Sequence, residues 1–97
     1  MSKDGNEQDE LCVMAVIVNQ RGMHARAAAK FVKLAENFMA DVTVVKDDMR
    51  VSARSIMGLM MLAATQGSHI CICGQGVDAV QALDALSDLV KRKFDEE

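Results

Sequence analysis

A short segment of the chain brings together a turn residue, a nucleophile and two cations; it reads RGMHAR at positions 21–26. Gly22 permits a sharp turn, His24 falls at the start of a predicted helix, and Arg26 lies in the first helical turn. A helix N-terminus offers unpaired N–H groups and the positive end of a dipole, which favour a bound phosphate. Arg26 adds charge-assisted hydrogen bonds, and Arg21 is placed to supply a second cation. The segment is therefore predicted to accept a phosphoryl group on His24 and to hold it there.

Spacing alone leaves a second interpretation of His24 open. A histidine at the start of a helix also occurs as a cap or as an ordinary surface residue, and a short motif of this kind has low specificity. A longer pattern is needed to choose between a functional and a structural histidine.

Three side chains that can bind metals alternate along one predicted strand, namely His69, Cys71 and Cys73, and Cys12 lies on another strand. Side chains two residues apart on a strand are about 6.5–7 Å apart, which arranges three successive ligands poorly for a tetrahedral site. We therefore predict no metal and no cofactor. The cysteines are interpreted as small apolar thiols without a disulfide, because their number is odd and the expected compartment is reducing. Cys71 and Cys73 are expected on the outer face of the sheet with Met14.

Hydrophobic patterning predicts the elements that must position these residues. Short apolar or β-branched runs indicate strands, and apolar stripes with helical spacing indicate helices. The order βαββαβα predicts an α+β fold, a two-layer open-faced sandwich with a four-stranded antiparallel sheet and three helices on one face. The predicted strands are 11–18, 41–46, 49–53 and 69–73, and the predicted helices are one from about His24 with a stripe reaching Met39, a short one capped by Ser55 that ends before Gly67, and one over 78–94.

The composition excludes several classes of function. The 97 residues carry a net charge of −3 and only 3% are aromatic, which argues against a surface that stacks bases or neutralises phosphodiesters. No apolar stretch of about 18 residues is present and the N-terminus is acidic, so neither a membrane span nor a signal peptide is predicted. We expect a cytoplasmic monomer with a flexible polar leader at 1–10 and one domain at 11–97.

Two segments of the sequence together resemble a known family. The stretch GMHAR at 22–26 is followed roughly thirty residues later by ARSIMGLM at 53–60. Both are similar to the patterns G-L-H-A-R-P and K-S-I-M-G-L-M of the HPr phosphocarriers of the phosphoenolpyruvate-dependent phosphotransferase system. The likeness extends from about Leu11 to Phe94 and agrees with the predicted order of elements. It implies an HPr-like fold and a transient phosphohistidine rather than a turnover enzyme.

Three residues take their roles from this resemblance. His24 matches the histidine that receives phosphate on Nδ1 from enzyme I and passes it to a IIA-type domain, and Arg26 matches the arginine that pairs with the phosphoryl oxygens. Ser55 matches the regulatory serine that an ATP-dependent HPr kinase/phosphorylase modifies in some lineages. Ser55 is also predicted as a helix N-cap, and the two roles are compatible. The alternative function is a regulatory binding module controlled through Ser55 without phosphotransfer.

The sequence departs from the family pattern at one position of the histidine motif, and it also contains apolar residues that are predicted to contact partners. Ala27 stands where the family pattern has proline, and the chain contains no proline, which resembles nitrogen-type or alphaproteobacterial phosphocarriers. Methionine adapts to several partners, although a methionine stripe also fits a core. The residues predicted to contact enzyme I and the acceptor are Met23, Ala27, Ile56, Met57, Gly58 and Met60.

Overall fold

The computed structural model describes residues 9–96, so residues 1–8 of the predicted leader lie outside the described residues. Within this range, no helix is long and apolar enough to span a membrane. The elements are β1 (Leu11–Val16), α1 (Ala25–Ala35), β2 (Asp41–Lys46), β3 (Met49–Ser52), α2 (Ile56–Met61), β4 (His69–Gln75) and α3 (Ala79–Lys91), followed by a short turn at Lys93–Asp95.

The strands form one antiparallel sheet in the order β1-β4-β2-β3, which leaves β1 and β3 at its edges. Side chains alternate across the sheet, so Val44, Ile70 and Ile72 are buried on the inner face while Met14 is exposed on the outer face. Helix α3 packs against β1 and β4, and α1 packs against α2 and α3. The predicted α+β sandwich with the order βαββαβα is therefore confirmed.

Helix α1 is shorter than its apolar stripe predicts. It ends at Ala35, and Met39, predicted on the buried stripe, is 82% exposed. Beyond the helix, the Asp78 carboxylate accepts hydrogen bonds from the backbone N–H of Met39 (2.9 Å) and of Ala40 (2.8 Å). The helix has already ended in i→i−3 turns at Asn37 and Phe38, and the Asp78 bonds hold the segment that leads into β2, so the prediction for Met39 is wrong.

The C-terminal helix ends earlier than predicted, yet its stripe is buried as expected. After Lys91 the chain enters a turn in which Lys93, Phe94 and Asp95 have φ values of 61°, 56° and 58°. Non-glycine residues seldom adopt this left-handed conformation, and three in succession reverse the chain. Phe94 thereby returns to the core, where its carbonyl accepts a hydrogen bond from Lys30 Nζ (2.9 Å). The turn directs the end of the chain toward α1.

A disulfide joins the edge strand β1 to its neighbour β4. Cys12 and Cys73 lie directly opposite each other in the antiparallel register, with their Cα atoms 4.0 Å apart. The prediction that all cysteines are thiols is therefore wrong, and only Cys71 is free. The sequence did not indicate the bond because strand register depends on the whole sheet. Glu10 places a carboxylate oxygen within 4.8 Å of both sulfurs. Because these sulfurs are joined in the disulfide, they are not thiolates that could bind a metal ion with Glu10.

Reduction of the Cys12–Cys73 bond is expected to lower the free energy of unfolding by about 4 kcal/mol. The reason is that the bond links residues 61 positions apart and restricts the unfolded chain. Urea denaturation with and without a thiol reductant measures the difference. Cys12→Ser should match the reduced protein, and Cys71→Ser is the control that should keep the oxidised stability. Equal unfolding midpoints for the oxidised and reduced protein would contradict the expectation.

Candidate functional site

The turn before α1 is fixed by a close approach of two backbones. Gly22 has φ of 69°, and a Cβ at this position would lie 2.4 Å from the carbonyl oxygen of Ala64. The same carbonyl accepts a hydrogen bond from Met23 N–H at 2.9 Å. Glycine is therefore required here, and the turn places His24 at the N-cap of α1 as predicted.

The helix start leaves several donors free. The first helical hydrogen bond runs from Ala28 N–H to the carbonyl of His24 (2.8 Å), so the N–H groups of residues 25–27 have no partner within the helix. The His24 side chain makes no capping bond to them. The imidazole and the free N–H groups are therefore both available to an anion at this helix end.

His24 contacts the carboxylate of Glu96, which was not among the predicted site residues. Its Nε2 lies 2.5 Å from Oε2 of Glu96, and within residues 9–96 no other group hydrogen-bonds the ring. Asn19, which is 1% exposed, donates from Nδ2 to Oε1 of Glu96 (3.1 Å) and to the carbonyl of Gly22 (2.9 Å). The ring is thus held through Nε2, and Nδ1 is left without a protein partner.

The environment of Glu96 keeps its carboxyl ionised. Hydrogen bonds from His24 and then from Asn19 hold the pKa of the Glu96 carboxyl below its ordinary value, with a smaller contribution from the charge of Arg21. Partial desolvation opposes the shift without reversing it. At neutral pH, Glu96 is therefore a carboxylate, which can only accept hydrogen bonds.

Cationic side chains surround an open cavity of about 580 Å³ beside His24. Arg26 is exposed, and within residues 9–96 it forms no ion pair. A guanidinium without a protein partner is free to bind an anion bidentately. The charged residues that line the cavity are Arg21, Arg26, Lys30, Lys93, Asp95 and Glu96.

Sequence reasoning did not find Asn19 or Glu96. Asn19 was part of a polar loop, and Glu96 lies in an acidic chain end that carries no periodic signal. Both reach the site through long-range contacts, since Glu96 and His24 are 72 residues apart in the chain. A buried asparagine can be recognised only once the fold is known.

Ser55 is placed as the sequence predicts, at the N-cap of α2. Its Oγ accepts a hydrogen bond from Gly58 N–H at 2.9 Å. A Cβ on Gly58 would lie 3.0 Å from that Oγ and 3.1 Å from Val51 Cβ, so the first turn of α2 favours glycine at this position. The capping role of Ser55 is therefore confirmed.

The predicted partner surface divides into an exposed and a buried part. Ile56, Met57 and Met60 are exposed on α2, and Gly58 is half-buried. Met23 and Ala27 are 5% and 1% exposed, so their prediction as contact residues is wrong. Met23 is drawn into the core by the Gly22 turn, and Ala27 lies on the inner stripe of α1. Met61, which was not predicted, adds to the exposed apolar surface.

The fold and the site together define a class of protein. A small α+β sandwich presents a histidine nitrogen at a helix N-terminus, next to free helix N–H groups and a guanidinium that forms no ion pair with the described part of the chain. These groups suit a protein that carries a phosphoryl group on histidine.

Comparison with known proteins identifies the family. The family model described as "PTS HPr component phosphorylation site" matches residues 13–92. "Phosphocarrier protein HPr" of Neisseria meningitidis is 48% identical over 80 residues, which are 82% of this chain and 90% of that protein. This chain therefore belongs to the HPr phosphocarrier family of the phosphotransferase system.

Two further relatives extend this result. "Phosphocarrier protein NPr" of Shewanella violacea is also 48% identical over 80 residues, covering 82% of this chain and 88% of that protein. The crystal structure of "HPr-C-His" from Thermoanaerobacter tengcongensis superimposes with a TM-score of 0.85 at 42% identity, covering 90% of this chain and 98% of that chain. The resemblance to the HPr family is confirmed, whereas equal identity to an HPr and an NPr does not assign a branch.

Proposed function

We propose that this protein carries a phosphoryl group on Nδ1 of His24, which it receives from enzyme I and delivers to a IIA-type domain in the cytoplasm. The family implies both partners. The observation that carries the proposal is the position of His24 at the N-cap of α1 beside a cavity lined by four cationic side chains, among which Arg26 forms no ion pair within residues 9–96. Arg26 binds the phosphoryl oxygens in this proposal, and the free N–H groups of α1 add to the positive potential.

The transfer step needs a nucleophilic nitrogen and compensation of negative charge. The lone pair of His24 Nδ1 attacks phosphorus, and the bond from phosphorus to the donor breaks with its electron pair leaving on the donor. Negative charge lies on the phosphoryl oxygens throughout, where Arg26 stabilises it. Onward delivery is the same step in reverse, with the acceptor as nucleophile.

The experiment that tests this proposal incubates the purified protein with enzyme I and phosphoenolpyruvate labelled in its phosphate. Label that is stable in base and lost in acid indicates phosphohistidine. Transfer of this label to an added IIA-type domain would support the complete carrier role. Label that survives acid, or absence of label while enzyme I phosphorylates another HPr protein, would contradict the proposal.

We further propose that the acceptor is of the nitrogen type. Ala27 stands where the family pattern has proline, and an NPr protein is among the relatives. Competition between a nitrogen-type and a sugar-type IIA domain for the phosphorylated protein tests this choice. Faster transfer to the sugar-type domain would contradict it.

Ser55 is proposed as a regulatory phosphorylation site for an HPr kinase/phosphorylase. Ser55 immediately precedes the exposed residues Ile56 and Met57, so a phosphate would add about −1.5 to −2 charge next to the proposed partner surface. The rival function, a regulatory module without phosphotransfer, keeps this site and requires that His24 takes no label.

Substitutions at Ser55 separate its capping role from the effect of charge. Ser55→Ala is expected to lose about 1 kcal/mol of unfolding free energy, because the bond to Gly58 N–H is lost. Ser55→Asp retains a capping oxygen and adds a charge, so stability should change by less than about 0.5 kcal/mol while affinity for enzyme I falls about tenfold. Urea denaturation and titration calorimetry measure the two effects. Unchanged affinity of Ser55→Asp would contradict the regulatory proposal.

A further inference from the structure

We propose that Glu96 is a positioning residue that selects which nitrogen of His24 accepts the phosphoryl group. This inference rests on the proposed phosphotransfer at His24. Its basis is a chain of contacts from Asn19 through Glu96 to the ring, held in place by the folded C-terminal turn. Glu96 does not contact the reacting nitrogen in this arrangement, so it acts through the imidazole.

The contact between Glu96 and His24 determines the tautomer of the neutral ring. A carboxylate has no proton to donate, so the proton between Glu96 Oε2 and His24 Nε2, which are 2.5 Å apart, must belong to Nε2. In neutral imidazole the other nitrogen then carries a lone pair. Glu96 therefore leaves Nδ1 of His24 as the nucleophile.

Asn19 fixes the orientation of this carboxylate. Its Nδ2 donates to the carbonyl of Gly22 (2.9 Å) as well as to Glu96 Oε1 (3.1 Å). Turning the amide over would place Asn19 Oδ1 against the Gly22 carbonyl, where two acceptors would face each other without a proton. Asn19 thus presents a donor to Glu96 and holds Oε2 toward His24.

The C-terminal turn delivers Glu96 from the opposite end of the chain. Phe94 is 1% exposed in the core, and its carbonyl is bound by Lys30, which belongs to the same helix that His24 caps. Glu96 N–H closes the turn on the carbonyl of Lys93 (3.0 Å). A buried anchor two residues away limits how far the Glu96 side chain can move.

The contact is also favourable during the transfer itself. When the lone pair of Nδ1 forms its bond to phosphorus, the ring keeps its proton on Nε2 and gains positive charge. Glu96 stabilises this charge through the hydrogen bond to Nε2. When the acceptor takes the phosphoryl group, the electron pair returns to Nδ1 and the same tautomer is regenerated.

Glu96→Gln should reverse the tautomer, which a purely structural role does not predict. Because Asn19 presents a donor, the oxygen of the new amide should face Asn19 and its NH₂ group should face His24. The NH₂ group then donates to Nε2 and moves the ring proton to Nδ1. Loss of the nucleophilic lone pair is expected to slow phosphorylation by about 100-fold, whereas Glu96→Ala, which frees both tautomers, should slow it by about tenfold.

Two measurements on the full chain test the expected change of tautomer and the expected ranking of phosphorylation rates. Proton–nitrogen correlation spectra of ¹⁵N-labelled protein report the tautomer without any phosphotransfer, and rates with enzyme I and phosphoenolpyruvate report the nucleophile. Glu36→Gln, an exposed carboxylate-to-amide change at the far end of α1, is the matched control and should leave both readouts unchanged.

The outcomes separate this inference from the proposed function. The role of Glu96 would be supported if the ring proton lies on Nε2 in the wild type and on Nδ1 in Glu96→Gln. The phosphorylation rate should also fall from wild type to Glu96→Ala and again to Glu96→Gln. Wild-type tautomer and rate in Glu96→Gln would overturn that role alone, while His24 still takes label. Absence of label on the wild-type protein would overturn the proposed function and the role of Glu96 together.

Discussion

His24→Ala is expected to accept no phosphoryl group from enzyme I, and label transfer should fall below detection. The substitution removes the nitrogen that forms the bond to phosphorus, and the described residues that line the adjacent cavity include no second histidine, cysteine or serine to replace it. The fold should persist, because the bond lost is to the partly exposed Glu96 carboxylate, which water can reach, and α1 is held by its buried stripe. We expect the unfolding free energy to stay within about 1 kcal/mol of wild type.

The matched control for this substitution is His69→Ala. The chain contains two histidines, and His69 lies exposed at the start of β4, opposite Val16. Labelled phosphoenolpyruvate and enzyme I should phosphorylate His69→Ala at the wild-type rate. If His24→Ala still took acid-labile label and His69→Ala took none, the phosphoryl group would be carried on His69, and the proposal for His24 would be contradicted.

The order of elements was predictable because it depends on local patterns. The stripe of α3, from Ala79 to Val90, is buried as its spacing predicts, and the Asp47-Asp48 turn joins β2 to β3 with Asp47 at φ of 55°. Each of these signals lies within a few residues of the structure it specifies. The start of α1 at His24 and the cap at Ser55 were predictable for the same reason.

The incorrect predictions concern contacts between distant parts of the chain. The Cys12–Cys73 bond depends on the register of β1 against β4, and the exposed position of Met39 after α1 is held by Asp78, the residue that precedes α3. Apolar character also did not reveal that Met23 is buried while Met57 is exposed. Exposure is a property of the assembled layers, since a methionine suits a core and a contact surface equally.

In the candidate site, too, some residues were predictable from local sequence and others depend on contacts between distant parts of the chain. His24 and Arg26 lie two residues apart and were predicted from their motif together with the resemblance to the family, whereas Asn19 and Glu96 complete the site through the folded C-terminal turn. The nucleophile and its cation are thus encoded locally, but the group that orients the nucleophile depends on the tertiary fold. Truncation of the chain end would remove an orienting group while leaving the motif intact.

Arg26→Ala is expected to slow phosphoryl transfer from enzyme I by about 100-fold without unfolding the protein. The guanidinium has no ion pair within residues 9–96 and is exposed, so its loss leaves no buried partner uncompensated. The rate falls because the phosphoryl oxygens lose a bidentate donor that acts in the transition state. Arg26→Lys keeps the charge but not the paired donors, and should recover only part of the rate.

The position of the charge distinguishes this effect from a general loss of positive potential. Arg50→Ala removes an equal charge from β3, where Arg50 bonds Glu10 and Thr43 on the outer face of the sheet. Single-turnover rates measured at two salt concentrations should separate the variants. Arg26→Ala should remain slow at both concentrations, because a direct contact is less screened than long-range attraction, while Arg50→Ala should transfer at the wild-type rate. Equal slowing of the two variants would show that Arg26 steers enzyme I toward the protein, rather than binding the phosphoryl group.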